Sequence, residues 1–141
     1  MIDKKYTEEL IHALDNSQDG FVLFKQNFDE CALAFEVGDN AKGLKLVEGL
    51  SKPIQDFLRF CVDTVSTHAE YIGEDLFNEL CGQCESFENL IKEVLVEMEE
   101  ENYVEVGDIL KYDLGDLIGQ MAMIFPKLSE AVTKGALSTQ V

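Results

Sequence analysis

One stretch, from Leu76 to Met98, limits what this chain can fold into. Leu76, Leu80, Cys84, Phe87, Ile91, Val94 and Met98 recur at steps of three or four residues. That spacing predicts a helix of about six turns with one continuous apolar stripe. Phe77, Cys81, Leu90 and Leu95 widen the stripe, so the helix must touch more than one neighbour. A face this broad cannot be buried by one helix alone.

Three other periodic stretches supply partners. From about 18 to 37 the stripe is Phe21, Phe24, Phe28, Cys31 and Phe35, a large aromatic load that must leave water. From about 40 to 67 it is Leu44, Val47, Ile54, Leu58, Cys61 and Val65, flanked by Leu46, Leu50, Phe57 and Phe60. Pro53 interrupts this stretch, predicting either a kink or a full break with Ser51 as a new N-cap. From about 103 to 134 it is Val106, Leu110, Leu114, Leu117, Met121, Ile124, Leu128 and Ala131, closed by Lys134 and Gly135. Pro126 should bend this last helix. A shorter amphipathic stretch, 3–14, precedes them all.

The punctuation sets their order. Gly38 is a natural residue to follow a helix end, because glycine takes the left-handed conformation at little cost. Asp39 or Asn40 then caps the next helix. So short a connection makes the helices on either side antiparallel neighbours. Residues 68–73 form the next turn, and Asn102 is the expected stop of the 74–101 helix. The fold class is all-α: an up-down antiparallel four-helix bundle with a short extra N-terminal helix. Residues 1–135 form a single domain and 136–141 a flexible tail. The expected core contains Phe21, Phe28, Phe35, Leu44, Leu58, Leu80, Phe87, Ile91, Leu110, Leu117 and Met121.

The charge balance narrows the partners. The 141 residues carry 28 acids against 11 bases, a net charge of −17, and the excess lies mostly after Ala69. Such a surface repels phosphates, which argues against nucleic acid; it reads first as a solvated face and, in the alternative, as a docking face for a basic protein partner. No run approaches the roughly 18 apolar residues of a membrane span. Met1 to Leu14 has charges where a signal peptide needs an apolar run, so the expected location is cytoplasmic. Uncovered apolar faces would also allow a homodimer.

Phe35-Glu36-Val37-Gly38-Asp39 with Gly43-Leu44, and Asn102-Tyr103-Val104 with the run from Gly107 to Leu114, carry a resemblance. In these segments the chain is similar to a family of small bacterial helical proteins of unknown function, over about two thirds of its length. The resemblance implies a bacterial origin and a helical fold. It implies no activity, cofactor or site.

Chemistry is sparse. Cys81-Gly82-Gln83-Cys84 is a CxxC, a spacing that can bind metal or exchange disulfides. It lies well inside a helix among Glu79, Glu85 and Glu88, which disfavour a thiolate. With 1.5 Å of rise per residue, Cys61, Cys81 and Cys84 fall in one layer roughly 25–30 Å above the Gly38 turn, and Cys31 at only about 10 Å. A four-cysteine site is therefore excluded, and these three are the candidate metal or redox residues. Without a disulfide framework, all four cysteines also suit plain core packing. Glu9 and His12 form one Glu-x-x-His unit, but a di-iron bundle needs two. His68 lacks the neighbouring cation that would hold a phosphoryl group, and is expected as a loop or C-cap residue. No phosphate loop or catalytic triad is present, so no catalytic residue and no cofactor is expected. The sequence favours a non-enzymatic interaction module, adaptor or chaperone-like. The alternative is a metal-binding or redox protein using Cys61, Cys81 and Cys84.

Overall fold

The computed structural model describes residues 3–138, and within them every element is helical. Helix α1 (Lys4–Asp15) starts at Asp3, whose carboxylate accepts from the Lys5 amide at 2.8 Å. Helix α2 (Ser17–Glu36) follows after one residue. Helix α3 (Asn40–Arg59) runs on through a π-helical turn, Phe60–Val65, and a 3₁₀ turn, Ser66–His68. Short α4 (Ala69–Ile72) leads to α5 (Glu74–Glu99). Then come α6 (Tyr103–Asp108), a second π-helical turn, Ile109–Asp113, and α7 (Leu114–Ser138).

The α2–α3 turn is closed as its residues dictate. Gly38 has φ of +84°, the Gly38 amide donates to the Phe35 carbonyl, and the Asp39 amide donates back to Ala34 at 2.9 Å. The Asp39 carboxylate then accepts from the Lys42 amide at 3.2 Å and starts α3. Above the turn, Gly43 meets Phe35 so closely that a Cβ there would lie 2.6 Å from the ring. At the far end Phe57 packs on Phe21. These two helices are therefore antiparallel. Along α2, Phe35 stacks on Tyr103, Gly107 faces Ala32 and Phe21 meets Phe125. The last helical stretch thus also runs antiparallel to α2. Helix α1 continues along α7, where the Ser129 hydroxyl donates to Asp15. Helix α5 packs on α6 and α7.

Several expectations are corrected. Pro53 lies inside an unbroken α3, and Ser51 is not a cap. The irregularity appears further on, where 60–65 widens to a π-helix and 66–68 tightens to 3₁₀. The expected loop at 69–72 is a short helix, ended by Gly73 at φ +88°. Gly135 does not end α7, which reaches Ser138. Gly135 is helical and lies under Tyr71, where a Cβ would come within 2.5 Å of the ring. Ala136 to Ser138 are therefore helix rather than tail, and 139–141 lie outside the described residues. Most of the expected core is buried, but Leu44, Leu58 and Ile91 are only partly so. Leu58 and Ile91 line an unfilled cleft between α3 and α5.

The end of α5 repeats the Gly38 turn without its glycine. The Glu101 amide donates to Met98 and the Asn102 amide to Glu97, while Glu101 itself sits at φ +58°. A left-handed backbone crowds its Cβ, and its carboxylate adds negative charge at the negative helix end. Glu101→Gly should stabilise the protein by about 1 kcal/mol. Urea denaturation checks this, with an unchanged m-value expected.

Candidate functional site: the seam between α3 and α5

Three features follow one another along the α3–α5 seam. Nearest the Gly38 turn is a cleft of about 270 Å³. Val47, Leu50, Ile54 and Leu58 of α3 form one wall, and Ile91, Val94 and Leu95 of α5 the other. Phe28 and Leu110 close its floor, and Ser51, Gln55, Glu88 and Lys92 are its polar lining. The stripes predicted from sequence supply this lining, but the two helices stand too far apart to fill the space between them.

Next comes an aromatic tie. The Phe57 and Phe87 rings lie 6.0 Å apart, and each also packs on α2, Phe57 on Phe21 and Phe24 and Phe87 on Phe28. Phe28 and Phe87 are fully buried.

Beyond the tie, a pocket of about 230 Å³ is lined by Cys61, Cys81 and Cys84, with Val62, Ser66, Phe77, Leu80, Glu85 and Glu88. The three cysteines that helical rise puts in one layer thus share one pocket, and Cys31 does not line it. Cys61 is held by the first π-helical turn, Cys81 and Cys84 by successive turns of α5. Cys81 is exposed and the other cysteines are buried; all four are free thiols. Cys61 donates toward the Cys84 sulfur. That contact, reinforced by burial, pushes the Cys61 thiol up. The same contact holds the Cys84 thiol below its ordinary value, although burial and Glu88 oppose it. Cys31 is pushed up to about 11 by burial and by Glu30. Among the described residues, no group of three or more His, Cys, Asp or Glu side chains is placed to hold a metal ion.

The other sequence candidates lie elsewhere. His12 is exposed on α1 beside Asn16. His68 is not an open loop residue. It is buried, with Nε2 3.1 Å from the Thr7 hydroxyl and Nδ1 2.9 Å from the Thr67 hydroxyl. It fastens α1 to the end of the α3 stretch. Sequence reasoning missed this because Thr7 and His68 are 61 residues apart. Gln83, between the two α5 cysteines, is buried with its Oε1 unpartnered among the described residues.

These features define a class: an all-helical protein with an aromatic tie across one seam, an apolar cleft on one side of it and a thiol pocket on the other. The chain belongs to the family described as a domain of unknown function (DUF8042), whose profile matches residues 4–124. No curated protein and no solved structure matches it. Among the described residues, no helix is long and apolar enough to cross a membrane.

Exposure ranks the thiols. With a neutral alkylating reagent under native conditions, exposed Cys81 should be modified before buried Cys31, Cys61 and Cys84. Peptide mapping over a time course checks the order.

Proposed function

We propose that this protein is a non-enzymatic interaction module, adaptor or chaperone-like, that receives an amphipathic basic helix in the α3–α5 cleft. The whole is read as an up-down antiparallel four-helix bundle of one domain, with α1 as the extra helix. The observation that carries the function is the cleft: two apolar walls at helical spacing, left unfilled by the chain's own side chains. A helix laid in such a groove buries its apolar face against these walls.

Charge selects the partner. Helix α5 carries eight acids and only Lys92 as a base. Helix α3 is the more basic wall, with Lys42, Lys45, Lys52 and Arg59 against Glu48 and Asp56. A partner helix with lysines or arginines along the edge facing α5 is complementary to this arrangement. Two copies of the chain, at −17 each, repel one another, so a foreign basic helix suits the cleft better than a homodimer. A cytoplasmic setting fits four thiols that remain free.

A second reading, thiol redox chemistry, is favoured by one observation: Cys61, Cys81 and Cys84 converge on a single pocket. Equal inertness of these three thiols and Cys31 toward alkylation would end that reading. Among the described residues no ligand geometry supports the metal half of the sequence alternative, and it is not proposed.

Designed peptides test the first reading. A labelled amphipathic helix with a lysine-rich polar face should bind by fluorescence anisotropy, and its affinity should fall as salt rises. Leu58→Glu or Ile91→Glu should abolish binding while the circular dichroism spectrum is retained. Equal binding of a glutamate-faced peptide, or no effect of either substitution, would contradict the proposal.

A further inference from the structure

We propose that Cys84 and Cys61 form a peroxide-reactive pair, in which Cys84 attacks a small neutral hydroperoxide and Cys61 resolves the product to a disulfide. The inference rests on the thiol reading above and assigns each sulfur its step. Both residues line the same pocket. They belong to different segments, Cys61 to the π-helical turn after α3 and Cys84 to α5. Hydrogen-bond donation from Cys61 favours the thiolate on Cys84, the nucleophilic form.

The chemistry balances with hydrogen peroxide as oxidant. The Cys84 thiolate attacks one peroxide oxygen, the O–O bond breaks, and hydroxide leaves, giving a sulfenic acid on Cys84. The Cys61 thiol then attacks the Cys84 sulfur. The S–S bond forms, the S–O bond breaks, and water leaves with the Cys61 proton. Two electrons pass from the two sulfurs to the peroxide. Because the two sulfurs line one pocket, the second step stays within it.

The pocket also selects its oxidant. At about 230 Å³ it admits a small molecule, and Glu85 and Glu88 in its lining repel anions. Glutathione disulfide, which is bulky and negatively charged, is disfavoured on both counts. The disulfide would tie the end of the α3 stretch to α5, across the seam that also forms the apolar cleft. Glu88 lines both spaces.

The test uses the reduced full-length chain and one equivalent of hydrogen peroxide, read by intact mass and non-reducing peptide mapping. The expected result is loss of two hydrogen atoms and a single linked pair, Cys61 with Cys84. Cys61→Ser should instead leave a sulfenic acid on Cys84 that dimedone captures. Glutathione disulfide at the same dose should produce no linkage. A Cys81–Cys84 linkage, or oxidation of Cys81 with Cys84 left reduced, would overturn the pairing while leaving a reactive pocket. If peroxide and alkylating reagents leave all three pocket thiols unchanged, the thiol reading falls with it. The wild-type mapping stands even if the serine variant fails to fold.

Discussion

The structure depends on one cluster of phenylalanine rings. Phe21, Phe24 and Phe28 come from α2, Phe57 from α3, Phe87 from α5 and Phe125 from α7, so each long helix contributes. Phe21 meets Phe125 edge-on at 4.8 Å, and Phe57 packs on Phe21, Phe24, Phe87 and Phe125 at 5.5–6.1 Å. Burying each ring contributes on the order of 1.5–3 kcal/mol. Each favourable ring pair adds about 0.5–1.5 kcal/mol beyond that. The i,i+4 ion pairs Lys25–Asp29, Lys52–Asp56 and Lys134–Glu130 join well-exposed side chains, so they contribute far less. Aromatic packing, rather than charge, holds the helices in place.

The position of the cluster explains why α3 and α5 are not alike along their length. Phe57 and Phe87 join them at one level only. On the turn side, the apolar cleft lies between the two helices. On the other side, the π-helical turn at Phe60–Val65 carries Cys61 toward Cys84. Such turns commonly mark places where a side chain is re-aimed for use. A single tie thus separates two unlike spaces, one apolar and suited to a helix, the other lined by sulfur and carboxylates.

Much of this was legible in the sequence because its causes are local. The period of the stripes gave the helices, and Gly38 with Asp39 gave the first turn. Counting rise per residue put Cys61, Cys81 and Cys84 in one layer, since distance along a helix is nearly independent of what packs beside it. Other features depend on distant neighbours and left no local mark. Leu44, Leu58 and Ile91 have core spacing, yet their burial depends on how closely two helices approach. His68 is buried because Thr7 reaches it. Gly135 resembles a helix stop but serves as a landing place for Tyr71. Pro53 marks a kink or a break in the sequence, and of these the break does not occur: α3 continues through it and departs from α geometry only at Phe60.

A double-mutant cycle on Phe57→Leu and Phe87→Leu tests the aromatic tie most directly. Unfolding free energies of the two single variants and the double variant, from urea titrations, isolate the ring–ring term. The account predicts a favourable coupling of about 0.5–1.5 kcal/mol. Strictly additive losses would mean that the two rings do not hold α3 to α5, and would contradict the account.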